Sequence, residues 1–327
     1  MATAWPSDGP GGGSNARRLA ELIGTVSDGR LVVQPFAAGE LVAPGEIFDA
    51  VSAGTVEVGH ATSAAWRERD PAFSFFGGVP FGLLAHEYLG WLRFGGGQAL
   101  WQDACEPFGI VPFYVGSFGI RAAGWFRQPI GGLDTLKDLP MRTEGLSAEV
   151  WRRLGVKVVG LPFDEIVPAF VAGTIDAAEW LGPWGDYELK LWKVAENYYV
   201  PGFSGLGQAI ALIVNGAAYR SLPDDLQAVV AAVAAASAIE TSADFSYNNI
   251  AFLKPIVESG VTVAALPDAI VRAAGQEAEA LLKDIAAMSP VAGETYASFV
   301  AFRASAAAFA DRGDREALRM RAMALGA

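Results

Sequence analysis

Apolar residues in the first half of the chain fall in short runs punctuated by Gly, Pro and Ser, a pattern that predicts strands alternating with helices. An opening strand leads into a loop from Pro6 to Ser14. Asn15 is expected as a helix N-cap, with Leu19, Leu22 and Ile23 sharing one face. After the turn Ser27-Asp28-Gly29, Leu31 to Phe36 reads as a strand, Ile47 to Val51 as a short helix and Val56 to Ala61 as another strand. That order predicts a parallel sheet covered by helices.

A second alternating unit begins near Gly119. Ile120 to Phe126 reads as a strand, Met141-Arg142 as the end of another, and Leu146 to Leu154 as a helix. Strand Val156 to Leu161, helix Ile166 to Ala172 and a strand end at Ala177 to Trp180 follow. Beyond Pro223 the period changes: Leu226, Val229, Val230 and Val233 mark one long helix, and further helices run through Val271 to Ile285 and Tyr296 to Phe309. No internal repeat or low-complexity linker separates these parts. The expected architecture is α/β and two-lobed, with crossing strands and a helical C-terminal section. Residues 1–118 fall mostly in one lobe and 119–215 mostly in the other. Residues 216–327 form a helical connection that returns to the first lobe.

Composition narrows the function. A chain of 327 residues, 52% hydrophobic and 18% charged, is globular and too long for one ordinary core. Its net charge of −12 argues against nucleic acid or an anionic membrane as partner. Cys105 is the single cysteine, read as a small buried hydrophobe. Apolar runs such as Ala228 to Ile239 read as too interrupted or too short to span a bilayer. Met1 leads directly into a strand, so an exported protein would have this as its mature form.

Catalytic signatures are weak. His86-Glu87 lacks the second histidine of a zinc-binding helix, and Gly202-Phe203-Ser204-Gly205 misses the nucleophile-elbow pattern. The loop Gly9 to Gly13 has no Gly-Lys-Ser/Thr ending, and Gly95-Gly96-Gly97 reads as a turn between helices. The expectation is a protein that is not an enzyme and carries no cofactor.

The informative stretch runs from Gly119 to Gly207. Arg121 is expected on a strand and Arg142 at a strand end, where α/β lobes face a crevice. A guanidinium there grips a carboxylate with two parallel hydrogen bonds, or it is simply a surface charge. Trp180 and the aromatic run Tyr198 to Phe203 would supply flat apolar walls for a small organic anion.

With these segments the chain resembles the solute-binding proteins of TRAP transporters, in their 2-oxo-acid-binding branch. The resemblance covers nearly the whole chain. It rests on the order of Ala4-Trp5-Pro6, Ser27-Asp28-Gly29-Arg30-Leu31, Val79-Pro80-Phe81-Gly82-Leu83, Gly95-Gly96-Gly97-Gln98, Gly124-Trp125-Phe126, Ile175 to Trp180 and Tyr198 to Gly202. It implies a two-lobed, type II-like periplasmic binding fold with a long connecting helix, closing by a hinge and working with TRAP permease subunits. It also implies a homodimer through the C-terminal helix. The apolar face around Phe299 and Phe302 serves either that dimer or the monomer core. By resemblance Arg142 salt-bridges the ligand carboxylate, Trp180 packs on the ligand and lends its carbonyl to a cation, and Glu179 is a carboxylate ligand of that cation.

Two departures matter. Arg121 stands where the branch carries a glutamine that helps hold the cation, and Phe203-Ser204-Gly205 stands where it has Trp-His-Glu. Calcium needs about six to eight oxygen ligands. Losing a carboxylate and gaining a guanidinium therefore predicts a site with no bound metal, with Arg121 on a second oxygen-bearing group and room near Gly205 for a sugar acid or another ligand larger than pyruvate. Cation-bridged 2-oxo-acid binding, with Glu179 as metal ligand, is the alternative, as is a sensing subunit on the same fold. Asn215 either contacts the cleft or caps the next helix, Phe203 is expected near the cleft, and Phe81 and His60 either lie near the cleft or belong to the core.

Overall fold

The computed structural model describes residues 1–7 and 9–326; Asp8, within the opening loop, and Ala327 lie outside them. Among the described residues ten strands form two sheets. They are β1 Ala2–Thr3, β2 Val58–Ala61, β3 Ile110–Ser117, β4 Gly124–Phe126, β5 Pro140–Arg142, β6 Lys157–Val159, β7 Ala177–Ala178, β8 Asn197–Tyr199, β9 Ala209–Asn215 and β10 Thr262–Ala264. The first sheet has the order β1-β2-β9-β3 and the second β10-β8-β4-β7-β5-β6.

Neither sheet is wholly parallel, which corrects the expectation from alternation. The chain leaves the first sheet after β3, builds most of the second, and returns as β9, which runs antiparallel to both β2 and β3. In the second sheet β4 is antiparallel to β7 and β8, while β5 is parallel to β6 and β7. The segment Leu31 to Phe36 is not a strand but a single bridge, Ala2 to Phe36, on the outer side of β1. Ile120 to Ala123 is also outside any strand. Its amides donate to Gly205, Leu181 and Tyr199, three separate segments, so no one neighbour can form a ladder with it.

The first long helix, Gly12–Val26, begins four residues earlier than the Asn15 cap predicts. Gly11, at φ 82°, sets the turn, and a Cβ on Gly12 would lie 2.4 Å from the Trp5 ring, so the glycines let the helix start close against the opening strand. Asn15 is consequently a core residue. Its amide nitrogen donates to Val115 O (3.2 Å) and to the hydroxyls of Ser237 (2.9 Å) and Thr241 (2.5 Å), and its oxygen lies 2.6 Å from His60 Nε2. His60 Nδ1 in turn accepts from the Trp5 indole at 2.8 Å. The imidazole is therefore the neutral Nε2–H tautomer, structural rather than cleft-facing, and burial pushes its pKa down to about 3.

This network pins the helix Asp224–Glu258, whose 35 residues run behind β3. Pro223 precedes it, and Asp224 and Asp225 favour the dipole of its first turn. By length and composition it is apolar enough to cross a bilayer, which the interrupted runs in the sequence do not suggest. In this fold its Val230, Val233, Ser237, Thr241 and Phe245 are buried against the first sheet. Toward the C-terminus Phe299 packs on Trp91 and Phe75 inside the chain. Helix Asp314–Leu325, by contrast, buries none of its residues.

The His60 network carries a pH signature. The unfolded chain protonates this imidazole near its ordinary value of 6.5, whereas the folded protein resists until about 3. The stability it contributes is full above 6.5 and is lost as pH falls toward 3, at no more than about 1.4 kcal/mol per pH unit. Urea unfolding of the wild type and of His60→Gln from pH 7 to 4 should show the variant losing less stability over that window.

Candidate ligand site

The second sheet ends in a charged cluster. β5 delivers Arg142, 2% exposed, and β7 runs out at Ala178 so that Glu179, 1% exposed, follows directly. The two strands are parallel, and Glu179 N–H donates to Arg142 O at 2.8 Å, which fixes these residues side by side. Arg142 donates Nε to Leu161 O (3.0 Å), Nη1 to Glu179 O (3.0 Å) and Nη2 to Glu144 Oε2 (2.8 Å), and its guanidinium lies 5.3 Å from the Trp180 ring centroid. Trp180 also stacks with Phe163 at 5.7 Å.

Arg121 comes from the crossing segment between the sheets. Gly202 N–H donates to Arg121 O at 2.7 Å, and Arg121 N–H donates to Gly205 O at 3.3 Å, so two glycine-flanked contacts hold its backbone. A Cβ on Gly202 would stand 2.5 Å from the Ala122 carbonyl carbon, and only glycine allows this approach. The guanidinium, on a residue 5% exposed, donates Nη1 to Gln208 Oε1 at 2.8 Å and Nη2 to the Trp180 carbonyl, and Nη2 lies 3.6 Å from Glu179 Oε1. Gln208 leads into β9 of the first sheet, while Glu179 and Trp180 directly follow β7 of the second. Arg121 thus ties one sheet to the other.

Glu179 is further supported by Thr143 and Ser147, whose hydroxyls donate to Oε2 at 2.9 and 3.0 Å. Asp186 is a second buried acid, receiving Leu181 N–H at 2.9 Å and the Trp125 indole at 3.1 Å. Burial pushes its carboxyl up to about 6, against the pull of those hydrogen bonds and of Arg121. Thr143, Ser147, Gln208 and Asp186 are absent from the sequence expectations. Thr143 and Ser147 follow Arg142 and stand four residues apart, a spacing that could have been noticed, whereas Gln208 and Asp186 gave no signal.

Of the eight expected residues, Arg121, Arg142, Glu179 and Trp180 come together. Phe203 and Phe81 stack on each other at 5.2 Å, with Phe203 also 4.9 Å from Trp151. Phe81 lines an open groove of about 780 Å³ along helix Asp268–Ala286, with Arg272, Gln276, Glu279 and Lys283. That groove is lined by none of the buried charges of the cluster. Asn215 is elsewhere. It sits at the far end of β9, roughly 20 Å along the strand from Ala209, donates to Val51 O at 2.9 Å and caps the next helix by accepting Ala218 N–H at 3.0 Å. His60 belongs to the core network described above.

The oxygens that the resemblance assigns to a cation, the Glu179 carboxylate and the Trp180 carbonyl, both face the Arg121 guanidinium. Among the described residues no three His, Cys, Asp or Glu side chains converge as metal ligands. A fixed positive charge in that place does not fit a calcium site.

Residues 1–289 match the family of bacterial extracellular solute-binding proteins, family 7. The chain belongs to that family. It is a TRAP-type solute receptor and not an enzyme. It is 35% identical over 303 residues, 93% of this chain and 83% of the relative, to a monocarboxylate 2-oxoacid-binding periplasmic protein of Nostoc sp.. Among solved structures, a TRAP solute-binding protein of Bordetella bronchiseptica superposes with TM-score 0.94 at 30% identity, covering 100% of this chain and 97% of that one; it is a mixed-occupancy dimer with copurified calcium and picolinate in one site. A Pseudoalteromonas atlantica homologue with bound sodium and pyruvate gives TM-score 0.91 at 30% identity, covering 97% of each chain.

The buried ion pair makes the cluster sensitive to loss of one partner. Glu179→Leu leaves the Arg121 charge without its carboxylate and should cost about 3–5 kcal/mol in urea unfolding.

Proposed function

We propose that this receptor binds a small organic acid with Arg142 on the ligand carboxylate and Arg121 in the place of a bridging cation. The observation that carries this reading is the position of Arg121, whose guanidinium faces both the Trp180 carbonyl and Glu179. Bound calcium and sodium in the Bordetella and Pseudoalteromonas proteins define the contrast. Here a permanent guanidinium charge supplies what an exchangeable ion supplies there.

Arg142 carries its own surrogate for the ligand. Glu144 Oε2 accepts from Nη2, and while the Arg142 side chain is 3% exposed, that of Glu144 is 59% exposed. A ligand carboxylate replaces this outward-facing partner without leaving the guanidinium unpaired. Trp180 covers the ligand, and residues 1–118 and 119–215 supply most of the two lobes that close over it. The receptor delivers the acid to TRAP permease subunits from the periplasm. It pairs as a homodimer through helix Asp314–Leu325, where Leu318, Met320, Met323 and Leu325 are exposed.

Calorimetry on metal-stripped protein with chelator present should give the same affinity for a bound carboxylate as with added calcium, and a requirement for calcium would overturn the reading. Arg142→Ala should weaken binding at least about 30-fold, since one partner of a buried charged pair is lost. Glu144→Gln should instead tighten it about two- to fivefold by removing the competing carboxylate.

A further inference from the structure

Three buried polar atoms around the cluster lack hydrogen-bond partners. Glu179 Oε2 takes both hydroxyl donors, while Oε1 accepts no hydrogen bond, with Arg121 Nη2 at 3.6 Å. Arg121 Nε donates to nothing, and the Ser204 hydroxyl, on a residue 4% exposed beside Gly205, is also unpartnered. Unmatched groups at this depth are costly, and charged ones most of all. One acceptor and one donor therefore stand open on the two partners of a single ion pair.

We propose that a hydroxyl of the ligand completes this pair, so that the receptor selects hydroxy carboxylates over the oxo carboxylates of the same carbon skeleton. The proposal rests on the cation-free reading above and names the ligand class of that site. A hydroxyl gives its proton to Glu179 Oε1 and offers a lone pair to Arg121 Nε, whereas an oxo oxygen can only accept. Without a cation to coordinate both, an oxo oxygen beside Glu179 sets lone pairs against lone pairs. An ammonium can only donate, and it would bring a third cation next to Arg121 and Arg142.

Charge agrees with this choice. With Glu144 displaced from Arg142 by the ligand and Asp186 held by the Leu181 amide and the Trp125 indole, Arg121, Arg142 and Glu179 carry one net positive charge, which one ligand carboxylate neutralises if its second group is uncharged. The Ser204 hydroxyl is a further partner for a polyhydroxylated ligand. A void of about 10 Å³ bordered by Gly205 and Gln208 holds no more than about one water, so a ligand reaches the cluster only when the segments around it move apart.

The test is calorimetry of the full chain, stripped of metal and held in chelator, against matched pairs: lactate and pyruvate, 2-hydroxybutyrate and 2-oxobutyrate, 2-hydroxy-3-methylbutyrate and 2-oxo-3-methylbutyrate. The hydroxy member of at least one pair should bind about tenfold or more tightly than its oxo partner. In Glu179→Gln the preference should shrink to less than about threefold, because the amide can donate to an oxo oxygen. If that variant fails to fold, the wild-type pairs still decide. Equal or tighter oxo binding in chelator overturns the hydroxyl assignment and leaves the cation-free reading standing. Binding that appears only on adding calcium overturns that reading and this one with it.

Discussion

A guanidinium buried between two sheets is the interaction on which this receptor turns. Removing Arg121 from water is expensive, and the fold compensates with Gln208 from the first sheet and the Trp180 carbonyl and Glu179 carboxylate from the second. The compensation is incomplete, because Nε and one Glu179 oxygen remain unmatched. In the proposed reading stability and recognition share one set of atoms, because the carboxylate that keeps Arg121 tolerable in the interior also meets the hydrogen-bond donors of the ligand.

The second sheet is held at its ligand end by unusually specific local chemistry. Parallel pairing of β5 and β7 places Arg142 beside Glu179, and the hydroxyls of Thr143 and Ser147 lock the carboxylate. None of these groups needs a metal to organise it. The Bordetella and Pseudoalteromonas homologues hold calcium and sodium, and in the reading proposed above a covalently attached guanidinium takes the place of that ion here. A tethered charge cannot be lost by dilution, and it points its hydrogen bonds in fixed directions where a metal ion would not.

Much of this was legible from residue order. Helices at Ile166–Ala172 and beyond Pro223 follow directly from period and punctuation, as do the end of β5 at Arg142 and the glycine turn before Gly97. The crossing segment was not. Ile120 to Ala123 has the composition of a strand, yet its hydrogen bonds go to three different places, a long-range fact that local propensity cannot encode. Asn15 has the right type for a cap, but three preceding glycines moved the helix start and sent it into the core. For Asn215 the sequence left cleft contact and helix capping open, and for His60 cleft and core; their hydrogen bonds show that Asn215 caps the helix and His60 sits in the core. Gln208 and Asp186 escaped notice because nothing in their neighbours announces a distant arginine or tryptophan.

The helix Asp224–Glu258 is about 50 Å long at its ordinary rise per residue, and it touches both halves of the molecule. Phe245 meets Phe118 from the end of the first sheet and Trp184 from beyond the second, and Asn249 accepts the Trp184 amide at 3.1 Å. Such a rod acts as an axle. A body clamped at one place on a stiff shaft can swing about it far more readily than it can slide or twist away. In the proposed receptor, opening about this shaft is confined to nearly one path, so the charges around Arg121 meet in the same register at each closure.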